Sequence, residues 1–342
     1  MQWKSALLII QIFLMVGLLT ASCQTNQRSP KMNGVSLVAS RDSILDTEIN
    51  YVAETEANYI ALMPFGFLPG SQEPQLKFNI NRQWFGERKE GIEHTVSKLR
   101  ERNLKIMVKP QIWLRNGTFT GDLKFETEED WKQFEDSYAE FILLYAEISE
   151  ELDVELFCIG TELFNFVSNR LDFWKNLISE VRKIYSGEIT YAENWDKFDQ
   201  TTIWDELDYI GVDAYFPLSD EASPDIDQIK EGWEPHLNSL ESVSDKFEKK
   251  IIFTEFGYRS IDHALKTPWN SEREHPGLNF NLQANAYKVL FEQVWSKEWF
   301  AGGFLWKWHQ RTNSGGLENS RFTPQNKPAE IELKSFYGSF RN

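Results

Sequence analysis

Short β-rich apolar runs alternate with longer stretches of helical periodicity along this chain, and few folds accommodate that rhythm. The runs number eight: Gly34 to Ala39, Tyr59 to Phe65, Lys105 to Ile112, Val154 to Thr161, Glu188 to Asn194, Leu207 to Tyr215, Lys250 to Phe256 and Gly302 to Trp308. Between them, Ile92 to Arg102, Glu128 to Glu151, Asp172 to Tyr185, Ile226 to Lys246 and Leu282 to Ser296 carry apolar residues at three and four spacing. Such alternation predicts a parallel sheet, and eight units without a glycine-rich dinucleotide turn favour a closed barrel over an open doubly wound sheet. The expected fold class is α/β, a single (β/α)8 TIM barrel over residues 34–342. Turns entering the strands are short, as at Arg102 to Leu104, Tyr185 to Glu188 and Phe247 to Lys250. Loops leaving them are long: Phe67 to Phe85, Leu114 to Thr127, Ser260 to Asn281 and His309 to Lys327. This asymmetry elaborates one face, at the carboxyl ends of the strands, where barrel active sites sit.

Ahead of the barrel, Lys4 precedes a mostly apolar stretch from Ala6 to Leu19 that ends in Thr20-Ala21-Ser22-Cys23. At roughly fifteen residues it is shorter than the ~20 that a spanning helix needs, so residues 1–22 read as a signal peptide. The small residues before Cys23 resemble a bacterial lipobox, which implies cleavage there and lipidation of the Cys23 thiol. Thr20 stands where an aliphatic residue is usual, and a plain secretory signal is the alternative. Residues 23–33 would then tether an exported lipoprotein, periplasmic or at the cell surface, to its membrane. The other cysteine, Cys158, lies inside the fourth run, so a lipidated Cys23 leaves no disulfide framework.

Composition narrows the partners. With 36 basic against 52 acidic residues the formal charge is -16, which repels nucleic acid and anionic lipid and leaves the lipid anchor as the one expected membrane contact. Thirteen tryptophans and twenty-five phenylalanines exceed what a core of this size needs, and flat apolar rings suit the faces of sugars. Five scattered histidines, none paired at ligand spacing, argue against a catalytic zinc, and no metal or cofactor is expected. A G-x-S-x-G elbow and a phosphate-binding loop are both missing from the sequence.

Two glutamates carry the chemistry. Glu162 ends the fourth run and Glu255 the seventh. A carboxylate at the mouth of a buried strand is costly unless its charge or proton is used, and two facing one cleft supply the acid and nucleophile of glycoside hydrolysis. Strict alternation puts Leu156, Cys158, Gly160 and Glu162 on one face, and Ile251, Phe253 and Glu255 on one face of the other strand. If those faces point into the barrel, the carboxylates look at each other across its mouth. By position alone, Trp113, Asn194, Trp195 and Asp213 at other strand ends are candidate sugar contacts, with Lys109 and Gln111 sharing the face that carries Trp113.

An acid at strand four and a nucleophile at strand seven resemble clan A of the glycoside hydrolases. Within it, Ile159-Gly160-Thr161-Glu162-Leu163, Tyr209-Ile210-Gly211-Val212-Asp213-Ala214-Tyr215, Phe253-Thr254-Glu255-Phe256-Gly257-Tyr258 and Gly303-Phe304-Leu305-Trp306-Lys307-Trp308 resemble glycoside hydrolase family 113, known for β-mannanases. The likeness spans nearly the whole mature chain, including the closing Asn326-Lys327-Pro328-Ala329. It implies Glu162 as general acid/base and Glu255 as nucleophile in an anomer-retaining double displacement on a β-linked mannan-type polysaccharide or oligosaccharide. Retention of this kind goes with carboxyl groups ~5–5.5 Å apart. Tyr215 resembles the clan tyrosine that hydrogen-bonds the nucleophile, and Trp306 the platform beneath the sugar, with Trp308 expected on the same strand face. In two places the chain departs from the clan pattern. Thr161 stands where many clan families have asparagine, with Asn194 or Thr161 itself as the replacement, and the Met63-Pro64-Phe65-Gly66 end lacks the arginine often found at strand two. Two other readings stay open: a retaining β-glycosidase for glucan or an amino-sugar polymer, and a non-catalytic glycan-binding lipoprotein.

Overall fold

The computed structural model describes residues 31–340 except 71, 72 and 116. The signal peptide, the Cys23 lipidation site and nearly all of the tether lie outside the described residues. Eight parallel strands close a barrel in the order β1-β11-β10-β9-β8-β7-β5-β2. They are β1 (Met32–Leu37), β2 (Tyr59–Leu62), β5 (Lys105–Val108), β7 (Leu156–Thr161), β8 (Glu188–Asn194), β9 (Ile210–Asp213), β10 (Ile251–Phe256) and β11 (Phe300–Trp308). Each coincides with one of the eight apolar runs.

Two of those runs are broken, and proline explains where. With no N–H to donate, proline interrupts a ladder. The ladder of β2 and β5 stops at the Leu62–Val108 pair, ahead of Pro64 and Pro110. It resumes beyond them as a second parallel pair, β3 (Phe65–Leu68) on β6 (Gln111–Leu114), with Phe65 opposite Gln111. A short β4 (Lys77–Phe78) completes this outer sheet antiparallel to β3. The barrel wall is thus extended past its rim on one side.

Helices α1 (Asp46–Ala53), α2 (Lys89–Arg100), α3 (Glu128–Glu151), α4 (Phe164–Asn169), α5 (Leu171–Ile184), α6 (Ile226–Phe247), α7 (Phe280–Val294) and α8 (Pro328–Gly338) supply the outer layer. Their starts follow from local chemistry: Thr127 caps α3 by accepting from the Asp130 N–H, and three acidic residues in its first turn oppose the helix dipole. Asp225 caps α6 with Gln228 in a reciprocal box. No periodicity announced α1, α4 or α8. The first two are too short to show two full apolar repeats, and α8 follows Pro328, which opens helices as well as ending them. Between β8 and β9 the barrel has only the single 3-10 turn Trp204–Glu206.

Inside the barrel Met32, Tyr59, Ala61, Met107, Leu156, Cys158, Ala192, Ile252 and Phe304 form a compact plug. Gly34 is part of that packing, because a Cβ there would lie 2.3 Å from the Phe304 ring. α8 locks the closure, with the Tyr337 hydroxyl donating to the Gly34 carbonyl at 2.9 Å.

The interior set corrects the expected strand faces. Ile252 points inward, while Ile251 and Phe253 pack outward beneath the helices. Glu255 nevertheless reaches the mouth because β10 holds one extra residue between Phe253 and Glu255 against Val212 and Asp213 of β9. β7 carries the same irregularity between Cys158 and Thr161, so Gly160 turns toward the helix side, against Tyr138 and Trp174. A bulge of one residue reverses every later side chain, and such bulges gather beside active sites. A third lies in β11, between the partners of Val35 and Leu37. It separates Trp306, which lines a cleft at the barrel mouth, from Trp308, which is fully buried in the outer core 5.2 Å from the Tyr51 ring.

Candidate active site

Glu255 sits at the end of β10 with its side chain 8% exposed. Three donors converge on it. Its Oε1 accepts from Lys109 Nζ at 2.5 Å and Gln111 Nε2 at 3.0 Å, and its Oε2 from the Tyr215 hydroxyl at 2.7 Å. Burial and the adjacent Glu255 charge hold the Tyr215 hydroxyl well above its ordinary pKa, so it stays a donor. A carboxyl met by an ammonium, an amide N–H and a phenol is held in one orientation, with donors on both of its oxygens.

Lys109 is not the sugar contact expected from its position. It is fully buried and bridges Glu255 to Asp213, whose oxygens lie 3.1 and 3.3 Å from Nζ. Burial opposes the Lys109 charge, but the Asp213 and Glu255 carboxylates outweigh it and push the ammonium pKa up. Asp213 is likewise fully buried, accepts from Thr254 Oγ1 at 2.8 Å, and is raised to about 7 by burial and by Glu255, against the pull of Lys109. Both residues underpin the floor of the site instead of lining it. Lys109 and Gln111 reach the carboxylate from strand three.

Glu162 follows β7 directly and adopts φ 51°, a left-handed conformation that costs a non-glycine residue about 1–3 kcal/mol. The turn is held from outside. The Glu162 N–H donates to the Ala192 carbonyl at 2.7 Å, and the next N–H, of Leu163, donates to the Tyr191 hydroxyl at 2.7 Å. That hydroxyl donates in turn to Glu193 Oε2 at 3.1 Å, where Thr201 also donates. Glu193 is a fully buried carboxyl pushed up to about 7 by burial, and it also accepts from the Asn194 N–H. It escaped notice in the sequence because a glutamate one place from a strand end looks like any surface residue. Burial first, then the Asp213 and Glu255 charges, hold the Glu162 carboxyl well above the ordinary carboxylate range, with Lys109 the opposing influence. The two carboxyl groups therefore occupy opposite environments within one site.

A cleft of about 980 Å³ joins them. Of the residues anticipated from sequence, Asn194, Trp195, Tyr215 and Trp306 line it with the two glutamates. Of Asn194 and Thr161, only Asn194 faces the cleft. Trp308, Asp213 and Lys109 are buried away from it, and Trp113 stands on β6 in a neighbouring cavity. Residues from the long loops complete the lining: Phe119, Trp269, Arg321 and Phe322. The Trp269 ring stacks on Trp195 at 5.3 Å and 21°. Lys307 of β11 and His309 just after it extend the wall, and burial with the neighbouring Lys307 and Lys327 charges lowers His309 to about 4, so it is neutral at pH 7.

The raised Glu162 carboxyl sets a pH signature. An acid donates only while protonated, so kcat/KM is expected to fall as pH rises through the Glu162 pKa, above the ordinary carboxylate range. Glu162→Gln should lower turnover by about 10²–10⁴-fold on substrates whose leaving group needs a proton, and should abolish that alkaline limb. A pH–rate profile of both proteins checks this; an unchanged limb in the variant assigns the acid elsewhere.

A carboxylate met by three donors and a second carboxyl raised above the ordinary range, set together in an aromatic cleft at the mouth of a (β/α)8 barrel, suit cleavage of a sugar acetal, and the molecule is a glycoside hydrolase. The model of Glycoside Hydrolase Family 113, a clan A family, matches residues 41–327, and the chain belongs to that family. Solved structures agree in fold. The family 113 β-mannanase AaManA from Alicyclobacillus acidocaldarius superposes with a TM-score of 0.78 at 24% identity, covering 91% of this chain and 98% of its own. A family 113 β-1,4-mannanase complex gives 0.78 at 24% identity, covering 91% and 100%. A β-glucuronidase from Faecalibacterium prausnitzii is more distant, at 0.62 and 12% identity, covering 92% of this chain and 50% of its own. No curated protein matches the sequence.

Proposed function

We propose that the enzyme hydrolyses β-1,4-mannosidic bonds with retention of anomeric configuration. The observation that carries this reading is the contrast between Glu255, met by three donors, and Glu162, whose carboxyl burial and neighbouring charge raise above the ordinary carboxylate range. Glu255 attacks the anomeric carbon while Glu162 gives its proton to the departing glycosidic oxygen. Forming the ester removes the Glu255 charge. That charge is one cause of the raised Glu162 pKa, so its loss lowers the pKa and readies the new carboxylate to take a proton from incoming water. Water then cleaves the ester from the face that the leaving group vacated. Throughout, Tyr215 and Gln111 keep one Glu255 orientation, and Lys109 neutralises the carboxylate that is released.

The mannanase fold neighbours support the choice of mannan. The lining of the cleft opposes the amino-sugar alternative: among the described residues, Asp196 is the one acid there besides the catalytic pair, against Lys307 and Arg321. Reducing ends should therefore appear from β-mannan and not from chitosan, with β-glucan slower. Release from chitosan alone would overturn the specificity, and release from no β-glycan would favour a sugar-binding role.

A further inference from the structure

We propose that the substrate chain leaves the catalytic cleft over Trp306 and Lys307 and continues into a second groove, where Trp84 and Trp113 form a distal sugar platform. The proposal deepens the functional reading above by making the substrate a long β-linked chain cut internally.

Three concave spaces follow one another along the rim. The catalytic cleft shares Trp306, Lys307 and His309 with a cavity of about 610 Å³. That cavity shares Trp84 and Glu87 with another of about 610 Å³, which holds Trp113. One path therefore runs from the reacting carboxylates to the outer sheet. It exists because β3 and β6 resume beyond Pro64 and Pro110, carrying the wall outward.

The path carries the chemistry of sugar binding. Trp113 lies between Ile112 and Leu114, both buried, yet it is 49% exposed, since alternation on β6 turns it outward. Trp84 is 42% exposed and borders both outer cavities. Single exposed aromatics are ordinary, but two bordering one groove present rings on which pyranose faces can stack. Each ring is braced. Trp113 meets Phe67 edge-on at 6.0 Å, and the Arg41 guanidinium sits over the Trp84 ring at 5.5 Å.

Polar groups are at hand as well. Arg82 and Arg115 line the outer cavity, and their guanidinium groups have no hydrogen bond or ion pair among the described residues. Lys77 and Glu73 there are paired with each other at 3.4 Å. Open guanidinium donors beside exposed rings fit a neutral hexose chain, whose hydroxyls accept hydrogen bonds while its C–H faces stack. Continuity with the cleft identifies the occupant as the same chain whose bond is cut.

The test compares one substrate at two lengths. On whichever β-glycan the wild-type enzyme cleaves, kcat/KM is measured for the long polymer and for a short aryl glycoside of the same sugar. For Trp84→Ala/Trp113→Ala the ratio of polymer to aryl-glycoside rates should fall about tenfold, and Trp113→Phe should retain most of it. Normal turnover of the aryl glycoside shows that the variant is folded. An unchanged ratio, or equal losses on both substrates, overturns the platform. Since the ratio is taken on any glycan that is cleaved, a failed platform is distinguishable from a wrong choice of sugar.

Discussion

Glu255→Ala should lose at least about 10⁴-fold in kcat on β-mannan while its affinity for mannooligosaccharides changes little. The large effect follows from the proposed role, in which the glycosyl ester forms on the Glu255 carboxylate. Binding survives because the cleft is walled mainly by rings and loop residues that do not depend on Glu255. Folding should survive too, since Lys109 keeps Asp213 as its partner at 3.1 Å. Azide, small enough for the vacated space, should restore turnover on an activated aryl glycoside and yield a glycosyl azide of inverted configuration. Product analysis by chromatography and NMR checks this, and an azide of retained configuration would mean that Glu255 is not the nucleophile.

The second large effect is expected at Lys109→Met. This substitution leaves Asp213 and Glu255 together in the barrel with no cation between them, and breaking a buried pair by removing one partner costs about 3–5 kcal/mol. The pH dependence has a definite sign. Asp213 already has a folded pKa of about 7, above its unfolded value of 3.8, so the stability it contributes is lost as pH rises through the folded value. Lys109 lowers that pKa, so its removal raises the value further. The stability gap between variant and wild type should therefore narrow as pH drops from about 8 to about 5 and Asp213 takes up its proton. Neutralising Asp213 as well, in Lys109→Met/Asp213→Asn, should recover much of the loss without restoring full activity. Urea unfolding across that pH range, with kcat on the same proteins, separates the positioning role from sugar binding. A Lys109 that merely touched substrate would raise KM and leave stability unchanged.

Much of the barrel was legible because eight β-rich runs and an asymmetry of loop length are local, repeated signals. The two carboxylates were legible because a charged residue closing an apolar run is conspicuous. What lay hidden has three physical sources. Bulges in β7, β10 and β11 add one residue without a sequence mark, so strict alternation assigned Gly160, Phe253 and Trp308 to the wrong faces. Contacts across the barrel cannot be read from spacing, and Lys109 meets its partners 104 and 146 residues away. Position at a strand end therefore suggested a sugar contact where the fold places a buried ion network. Loop residues have no period at all, so Trp269 and Arg321 came to light only in the folded chain. Pro64 and Pro110 lay inside two runs read as continuous, and only the folded ladder shows that they mark where the wall bends into the outer groove.

The most direct test of the double-displacement account is the anomer first released, followed by proton NMR in the opening minutes of mannooligosaccharide hydrolysis. Glu255 acting as nucleophile and Glu162 as acid/base require the β-anomer of the new reducing end to appear first, with the α-anomer growing in later by mutarotation. If the α-anomer leads, water attacks directly and Glu255 forms no ester.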